Sequence, residues 1–262
     1  MTTPTPIVID ALTKVYGDNI PGIRATVQST KASAENLNLL QAGRGEVAFA
    51  LGDAVSDAWT GNEEAGFRTK LDKLRGLAGI YENYIQIVAS ADSGIRTLAD
   101  LRGKRVSVGA PRSGTELNAR AIFRGAGMSY SDLGKVEYLP FGESVELIKN
   151  RQLDATLQSA GLGVASIRDL ANSVNIVVIP VPAEVVAAIG DAAYQPAVIP
   201  ANTYQGQSTD IATAAIRNIL VTHSGVPENT VYAMTKSMFE NLDQMVAAHA
   251  AARGLQAAGA AD

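Results

Sequence analysis

Along the 262-residue chain the spacing of hydrophobic positions switches between two periods, and the switch points mark its elements. Ile7, Val8, Ala11, Leu12 and Val15 recur at the spacing of one helix face. Residues 7–15 are therefore predicted as a helix, ended by Gly17-Asp18-Asn19 and Pro21-Gly22. Residues 23–30 alternate instead. Ile23, Ala25 and Val27 fall on one side and Arg24, Thr26 and Gln28 on the other, which predicts a strand. A helix capped at Ser33 follows, with Leu37 and Leu40 inward and Gly43 as its stop. Residues 47–51 form a short apolar run ending in Gly52-Asp53, as a buried parallel strand does.

A second series begins near residue 88. It predicts a short helix over 98–104 capped by Thr97, a strand over 105–109, and a helix over 116–126 closed by Gly127. A strand over 136–139, a helix over 144–150 and a strand over 154–157 come next, and Gln158-Ser-Ala-Gly161 is read as the turn that opens another helix. Residues 176–179 are predicted as a strand ahead of Pro180 and Pro182, and residues 216–222 as one more after the polar stretch 202–209. The last helix is predicted over 228–252, with Val231, Thr235, Met238, Leu242 and Met245 as its buried seam, before an alanine- and glycine-rich tail that frays. Strands alternating with helices predict an α/β protein with mainly parallel sheets flanked by helices. Residues 39–51 (LLQAGRGEVAFAL) and 147–157 (LIKNRQLDATL) repeat one plan of short helix, tight polar turn and strand. Two similarly built lobes explain the echo, although such turns are also common in unrelated α/β proteins.

Composition removes several classes of function. The chain has no cysteine, so disulfides, zinc–thiolate sites and thiol nucleophiles are excluded together. A net charge of −4 without a basic cluster argues against nucleic acid or an anionic membrane as the main partner. No apolar run approaches the roughly 18 residues that span a bilayer. The opening Met1-Thr-Thr-Pro-Thr-Pro6 has neither a basic region nor an apolar core, so no signal peptide is expected as the chain is written.

Candidate chemistry gathers at the turns. Gly109-Ala-Pro-Arg-Ser-Gly-Thr115-Glu116 lies after a strand and before a helix, where backbone N–H groups and hydroxyls at a helix N-terminus favour an anion. Ser113, Gly114 and Thr115 are the candidate carboxylate or phosphate ligands, with a plain N-cap as the alternative. The turn 29–36, with Ser33 and Asn36, and the turn at Gln158 and Ser159 follow the same logic. In open α/β sheets ligands sit outside the carboxyl ends of strands, so the three turns are expected to converge on one cleft. Asp53, at a strand's carboxyl end, is either a ligand residue or a helix cap. His223 and His249, the two histidines, stand in no nucleophile or metal spacing, and no nucleophile elbow, metalloprotease pair or dinucleotide fingerprint occurs. No catalytic residue, metal or cofactor is therefore expected.

Four runs resemble the TAXI-type solute-binding proteins of TRAP transporters: Ser29-Thr-x-Ala-Ser-x-Glu-Asn36, 101–109 (LRGKRVSVG), Ser113-Gly-Thr-Glu-x-Asn-Ala-Arg120 and Asp154-Ala-x-x-x-Ser-Ala-Gly161. Residues 231–242, ending Phe239-Glu-Asn-Leu242, resemble that family's late helix, and the similarity runs from about residue 7 to about residue 250. The resemblance implies a two-lobed periplasmic-binding-protein-like fold. Lobe 1 is expected over 1–87 and 210–262, lobe 2 over 88–209, with hinge strands near 80–89 and 209–220. It implies a periplasmic or other extracytoplasmic monomer that captures a small carboxylated solute of the glutamate or 2-oxoglutarate class and presents it to the membrane subunits of a TRAP transporter. Carried over residue by residue, the site falls on Ser113, Gly114, Thr115, Gln158 and Ser159, with Ser33, Asn36, Asp53 and Tyr84 from the other side; Tyr84 is equally readable as a core aromatic. Two departures stand out. The strand, glycine-rich turn and tyrosine that open the family are replaced by Met1–Pro6, so lobe 1 is expected to lack its first strand, and Lys31 stands where the family often has glycine. A sensory ligand-binding domain and, further off, an enzyme on the same two-lobed scaffold are the alternatives.

Overall fold

Two long strands organise the chain. The computed structural model describes residues 19–28 and 30–248, together with Ala252 and Leu255. In chain order the elements are α1 (Ser33–Gln41), β1 (Val47–Leu51), α2 (Gly52–Thr60), β2 (Leu74–Ser90), β3 (Arg105–Ser107), α3 (Gly114–Gly125), β4 (Lys135–Glu137), α4 (Phe141–Lys149), β5 (Ala155–Ala160), α5 (Ala165–Ser173), β6 (Ile176–Ile179), α6 (Ala183–Ile189), β7 (Tyr194–Ile199), β8 (Ile211–His223), α7 (Glu228–Glu240) and α8 (Leu242–Ala248). The chain divides into two units, one of Met1–Tyr81 with Arg217–Asp262 and one of Glu82–Ile216, and β2 and β8 each pass from one to the other.

In the first unit the strand order is β1-β8-β2, with β1 antiparallel to β8 (Phe49 opposite Leu220). Its core joins Ile80, Leu220, Met234, Met238 and Met245. In the second unit β2, β5, β3 and β4 are neighbours in that order, β6 lies on β2 and β7 on β8. Its α4–α5 side is filled by Val88, Val145, Ile148, Leu153, Ile167 and Leu170, each buried side chain stabilising the fold by about 1.5–3 kcal/mol.

The mixed α/β class holds, but parallel pairing is confined to β3, with β4 and β5; the other registered pairs are antiparallel. The reason is topological. A parallel neighbour needs a crossover helix, which α3 and α4 supply, whereas β2 and β8 run against their partners. Residues 47–51 are thus a strand as expected, but an antiparallel and partly half-buried one.

Four further expectations change. Residues 23–28 alternate half-buried and exposed as predicted, and Ile23 and Ala25 pack on the first core, yet they form no ladder. Alternation reports a one-sided burial, not a hydrogen-bonded neighbour. Gln158, Ser159 and Ala160 do not open a helix: they are the last residues of β5, and α5 starts only at Ala165. The helix expected over 98–104 contracts to a 3-10 turn at Ala99–Leu101. The last helix breaks at Asn241, whose Nδ2 donates to the carbonyl of Ser237 (2.7 Å) and whose backbone leaves helical geometry. The segments expected as a helix over 7–15 and as a frayed tail lie outside the described residues, Leu255 excepted.

The echo between 39–51 and 147–157 is structural. At both corners the helix closes through a Schellman turn: Arg44 N–H donates to Leu39 O (2.9 Å) and Gly43 N–H to Leu40 O (3.0 Å), as Gln152 does to Leu147 (2.8 Å) and Arg151 to Ile148 (2.9 Å). Gly43 and Arg151 occupy the same left-handed position, at φ 66° and 59°. Each turn delivers the chain into a strand, β1 or β5, and so sets where that strand's carboxyl end falls.

Candidate functional site

Ser33, Asn36 and Asp53 lie in the first unit, and each has local work. Ser33 Oγ accepts from the Leu51 amide (3.2 Å), and Asn36 Nδ2 donates to the Phe49 carbonyl (2.9 Å). These backbone groups are two residues apart on β1 and point to the same side of it. Asn36 Oδ1 also accepts from Thr30 Oγ1 (2.6 Å), so its amide ties the loop before α1 to the strand after it. Between Thr30 and Ser33, Ala32 is held at φ 76°, ψ −149° as the N-cap of α1, where its methyl side chain makes no capping bond. That region of backbone space belongs to glycine. Asp53 is buried in the first turn of α2, where its Oδ1 accepts from the Ala54 amide (2.8 Å) and its charge lies at the favourable end of the helix dipole.

The second unit gathers the remaining candidates at one sheet edge. β3 and β5 are parallel neighbours, so residues 108–113 leave the sheet at the same edge as the end of β5. Antiparallel β2 brings Tyr84 opposite Ala160 there, half-buried. Ser113 caps α3, its Oγ accepting from the Glu116 amide (3.1 Å). The amides of Gly114 and Thr115 belong to the first turn, where a helix provides no acceptor of its own. Gly109 at φ +95° lets the loop fold onto this turn; a Cβ there would lie 2.7 Å from Thr115 Cγ2. The buried Glu116 side chain turns away along the helix, to Arg120 Nε (2.6 Å) and the Tyr130 hydroxyl (3.1 Å). Burial first, and the Glu116 charge second, raise the Tyr130 phenol above its ordinary range.

β5 separates two polar faces. Thr156 and Gln158 face α4 and α5, since Thr156 pairs with Val88, whose side chain packs with Ile148 and Ile167. Gln158 Oε1 accepts from Ser166 Oγ in the first turn of α5 (2.6 Å), and its Nε2 is buried with no partner. Ser159 points to the opposite face, the one covered by α3, and its Oγ is also buried without a partner. Its backbone carbonyl accepts from Asn83 Nδ2 (3.2 Å). A buried hydroxyl left unsatisfied costs about 1–3 kcal/mol, so a ligand oxygen that bonds it recovers that free energy.

Sequence reasoning passed over two side chains that hold this edge. Gln86, fully buried on β2, donates through Nε2 to the carbonyls of Ala160 (3.0 Å) and Gly161 (3.3 Å). Its Oε1 accepts from the Tyr204 hydroxyl, which itself accepts from the Gly163 amide (3.1 Å). Burial pushes the Tyr204 phenol up to about 12, so it stays a donor across the physiological range. A glutamine inside the apolar run 85–89 was the available signal; nothing local marks Tyr204 as its partner. Among the described residues no group of three His, Asp or Glu side chains is placed to hold a metal ion, and no helix is long and apolar enough to cross a membrane.

The model of the NMT1-like family matches residues 7–262. Among solved structures, the chain is similar to the periplasmic aliphatic sulphonate binding protein SsuA from Escherichia coli, with 15% identity, a TM-score of 0.53, and coverage of 97% of this chain and 77% of that one. A putative L-cystine ABC transporter protein from Listeria monocytogenes matches at 13% identity and a TM-score of 0.56, over 97% of this chain and 87% of that one. A histidine kinase sensor domain with similarity to periplasmic binding proteins matches at 17% identity and 0.55, over 94% and 86%. At such identities the likeness carries the architecture, the two-lobed α/β fold of periplasmic binding proteins.

Proposed function

The chain belongs to the NMT1-like family, and from that membership we propose that it is an extracytoplasmic solute-binding protein of the TAXI type, which hands a small carboxylated solute to the membrane subunits of a TRAP-type transporter. The observation that carries this reading is the buried, unpartnered Ser159 hydroxyl on the α3 side of β5, at the edge where α3 starts. A carboxylate there meets the Gly114 and Thr115 amides and the positive end of a twelve-residue helix, with Ser159 Oγ as a further donor. Gln158 Nε2 is unused as well, but it lies on the opposite face of the strand and points away from this anchor. No bond is made or broken in this reading: the site desolvates an anion and orients it.

Glutamate and 2-oxoglutarate are the solutes proposed, on the strength of the sequence runs that resemble the TAXI proteins. Aliphatic sulphonates and cystine, for which two proteins of the same fold are named, also carry an anionic group, the kind of ligand that a helix N-terminus favours. In the first unit Ser33 and Asn36 already serve β1, so the proposed anchor rests on the second unit.

Calorimetric titration with L-glutamate and 2-oxoglutarate, alongside uncharged amide analogues, tests the reading. An acid at 100 times its Kd should add about 2.7 kcal/mol to stability, and the amides should not. Ser159→Ala should weaken binding at least tenfold while leaving the fold intact. Properly folded protein that responds to no carboxylate sinks the proposal. The likeness to a sensor domain supports one other reading, a receptor module without a transport partner. Solute uptake by vesicles holding TRAP membrane subunits, dependent on this chain, decides between the two.

A further inference from the structure

Residues 160–163, the last of β5 and the first three of its connection to α5, carry a heavy load of buried polar support. Three of their backbone groups are held by two side chains remote in sequence. The carbonyls of Ala160 and Gly161 are held by Gln86 Nε2, and the amide of Gly163 by the Tyr204 hydroxyl. Those two side chains are bonded to each other and are both buried. Gln86 comes from β2 and Tyr204 from the connection between β7 and β8, so two separate stretches of chain meet on these four residues.

Packing does not require this expense. The loop exposes Leu162, and Gly163 takes φ +70°, so the segment buries little apolar surface of its own. Left to itself a loop bounded by Gly161 and Gly163 would sample many conformers, at a cost of about 1–2 kcal/mol for each residue that a ligand then had to order. Burying an amide and a phenol is favourable only when their hydrogen bonds are complete, and here the loop's own carbonyls and amide complete them.

We infer that Tyr204 and Gln86 form a buried clamp whose task is positioning: it presets residues 160–163, and with them the Ser159 hydroxyl and the first turn of α5, before solute arrives. The inference rests on the proposed solute site, and neither clamp residue touches solute itself. Preorganisation of this kind raises affinity by removing an ordering cost and adds no contact.

Tyr204→Phe removes the central hydroxyl and keeps the ring. Thr213→Val is the matched control, because the Thr213 hydroxyl donates to the buried Ile85 carbonyl in the same unit without touching the loop. Two readouts are taken on both variants: hydrogen exchange of the Gly163 amide, and the dissociation constant for whichever of L-glutamate and 2-oxoglutarate the unaltered protein binds. In Tyr204→Phe the Gly163 amide should exchange at least tenfold faster and affinity should fall at least tenfold. Thr213→Val should change stability but neither readout. Unchanged Gly163 exchange overturns the clamp, and so does faster exchange with unchanged affinity, or an equal loss of affinity in both variants. If the unaltered protein binds neither acid, the solute reading fails, and Gly163 exchange alone then decides the clamp.

Discussion

Replacing Ala32 by glycine should make the protein more stable. Ala32 sits at φ 76°, ψ −149°, where a Cβ collides with neighbouring backbone and only glycine is at ease; holding another residue there costs about 1–3 kcal/mol. Its carbonyl and amide are both engaged, accepting from the Asn36 amide (3.0 Å) and donating to Thr30 Oγ1 (3.2 Å), so the backbone cannot relax without losing the start of α1. Glycine removes the strain but also frees the unfolded chain, which takes back about 0.4–1 kcal/mol. The net gain is about 1 kcal/mol, or about 2–4 °C in Tm for a chain of this size. Trp59, the single tryptophan, lies on α2 in the same unit and reports urea unfolding by its fluorescence. Gly43→Ala is the opposite control. Gly43 has φ +66° and open space around it, so the added methyl meets no atom and brings only backbone strain, about 1 kcal/mol of loss. If Ala32→Gly leaves the urea midpoint unchanged or lowers it while Gly43→Ala lowers it, the strain argument is wrong.

Asn36→Ala breaks two side-chain bonds and should lose about 1–3 kcal/mol at about 0.5–1.5 kcal/mol each, read in the same urea assay; a loss of solute affinity with no loss of stability would contradict the structural role given to Asn36 here. Gly109→Ala places a Cβ 2.7 Å from Thr115 Cγ2 on a backbone at φ +95°, so it should cost stability and weaken carboxylate binding together, and calorimetry showing native affinity would count against the loop geometry. At alkaline pH the folded Tyr204 holds its proton to about 12, against 10.0 for an ordinary phenol. Its contribution is therefore complete below pH 10 and lost as pH rises from 10 toward 12, a dependence that Tyr204→Phe should reduce in denaturation curves. On the acid side the hydrogen-bonded Arg105 guanidinium holds the Asp154 carboxyl below its usual 3.8, so stability is present above that value and lost as pH falls through the lower folded one. Asp154→Asn should flatten that part of the profile.

What the sequence makes legible, and what it hides, follows from the range of each interaction. The first Schellman corner is readable because its determinants are local: Leu37 and Leu40 set the buried face and Gly43 supplies the left-handed stop. Its twin at residues 147–152 is readable only by its spacing, since Arg151 takes the left-handed position that glycine usually advertises. Strand direction leaves no local mark, so β1 is equally compatible with a parallel or an antiparallel neighbour until β8 is known to cover it. Residues 183–201 carry no predicted element, although α6 and β7 lie there; a seven-residue Ala/Val helix between prolines and a strand interrupted by Pro196 weaken both periodic signals. Gln158 and Ser159 are polar residues that end a strand, and polarity alone made them look like a turn; burial on both faces shows that β5 carries them into the interior.

The same logic explains why half of the candidate site was visible and its support was not. Ser113, Gly114 and Thr115 form the cap and first turn of one helix, a geometry written in consecutive residues. Gln86 and Tyr204 are 118 positions apart and mean little separately. A lone buried glutamine is an anomaly that demands partners, because an unsatisfied amide in an apolar strand costs several times what its hydrogen bonds return. Each such anomaly in an apolar run therefore predicts a partner somewhere in the chain, and the fold identifies it. Here the partner lies on the connection before β8 and both side chains close on the loop that follows Ser159. The polar residues that a core tolerates least are thus spent next to Ser159, a buried hydroxyl on the α3 side that has nothing to bond.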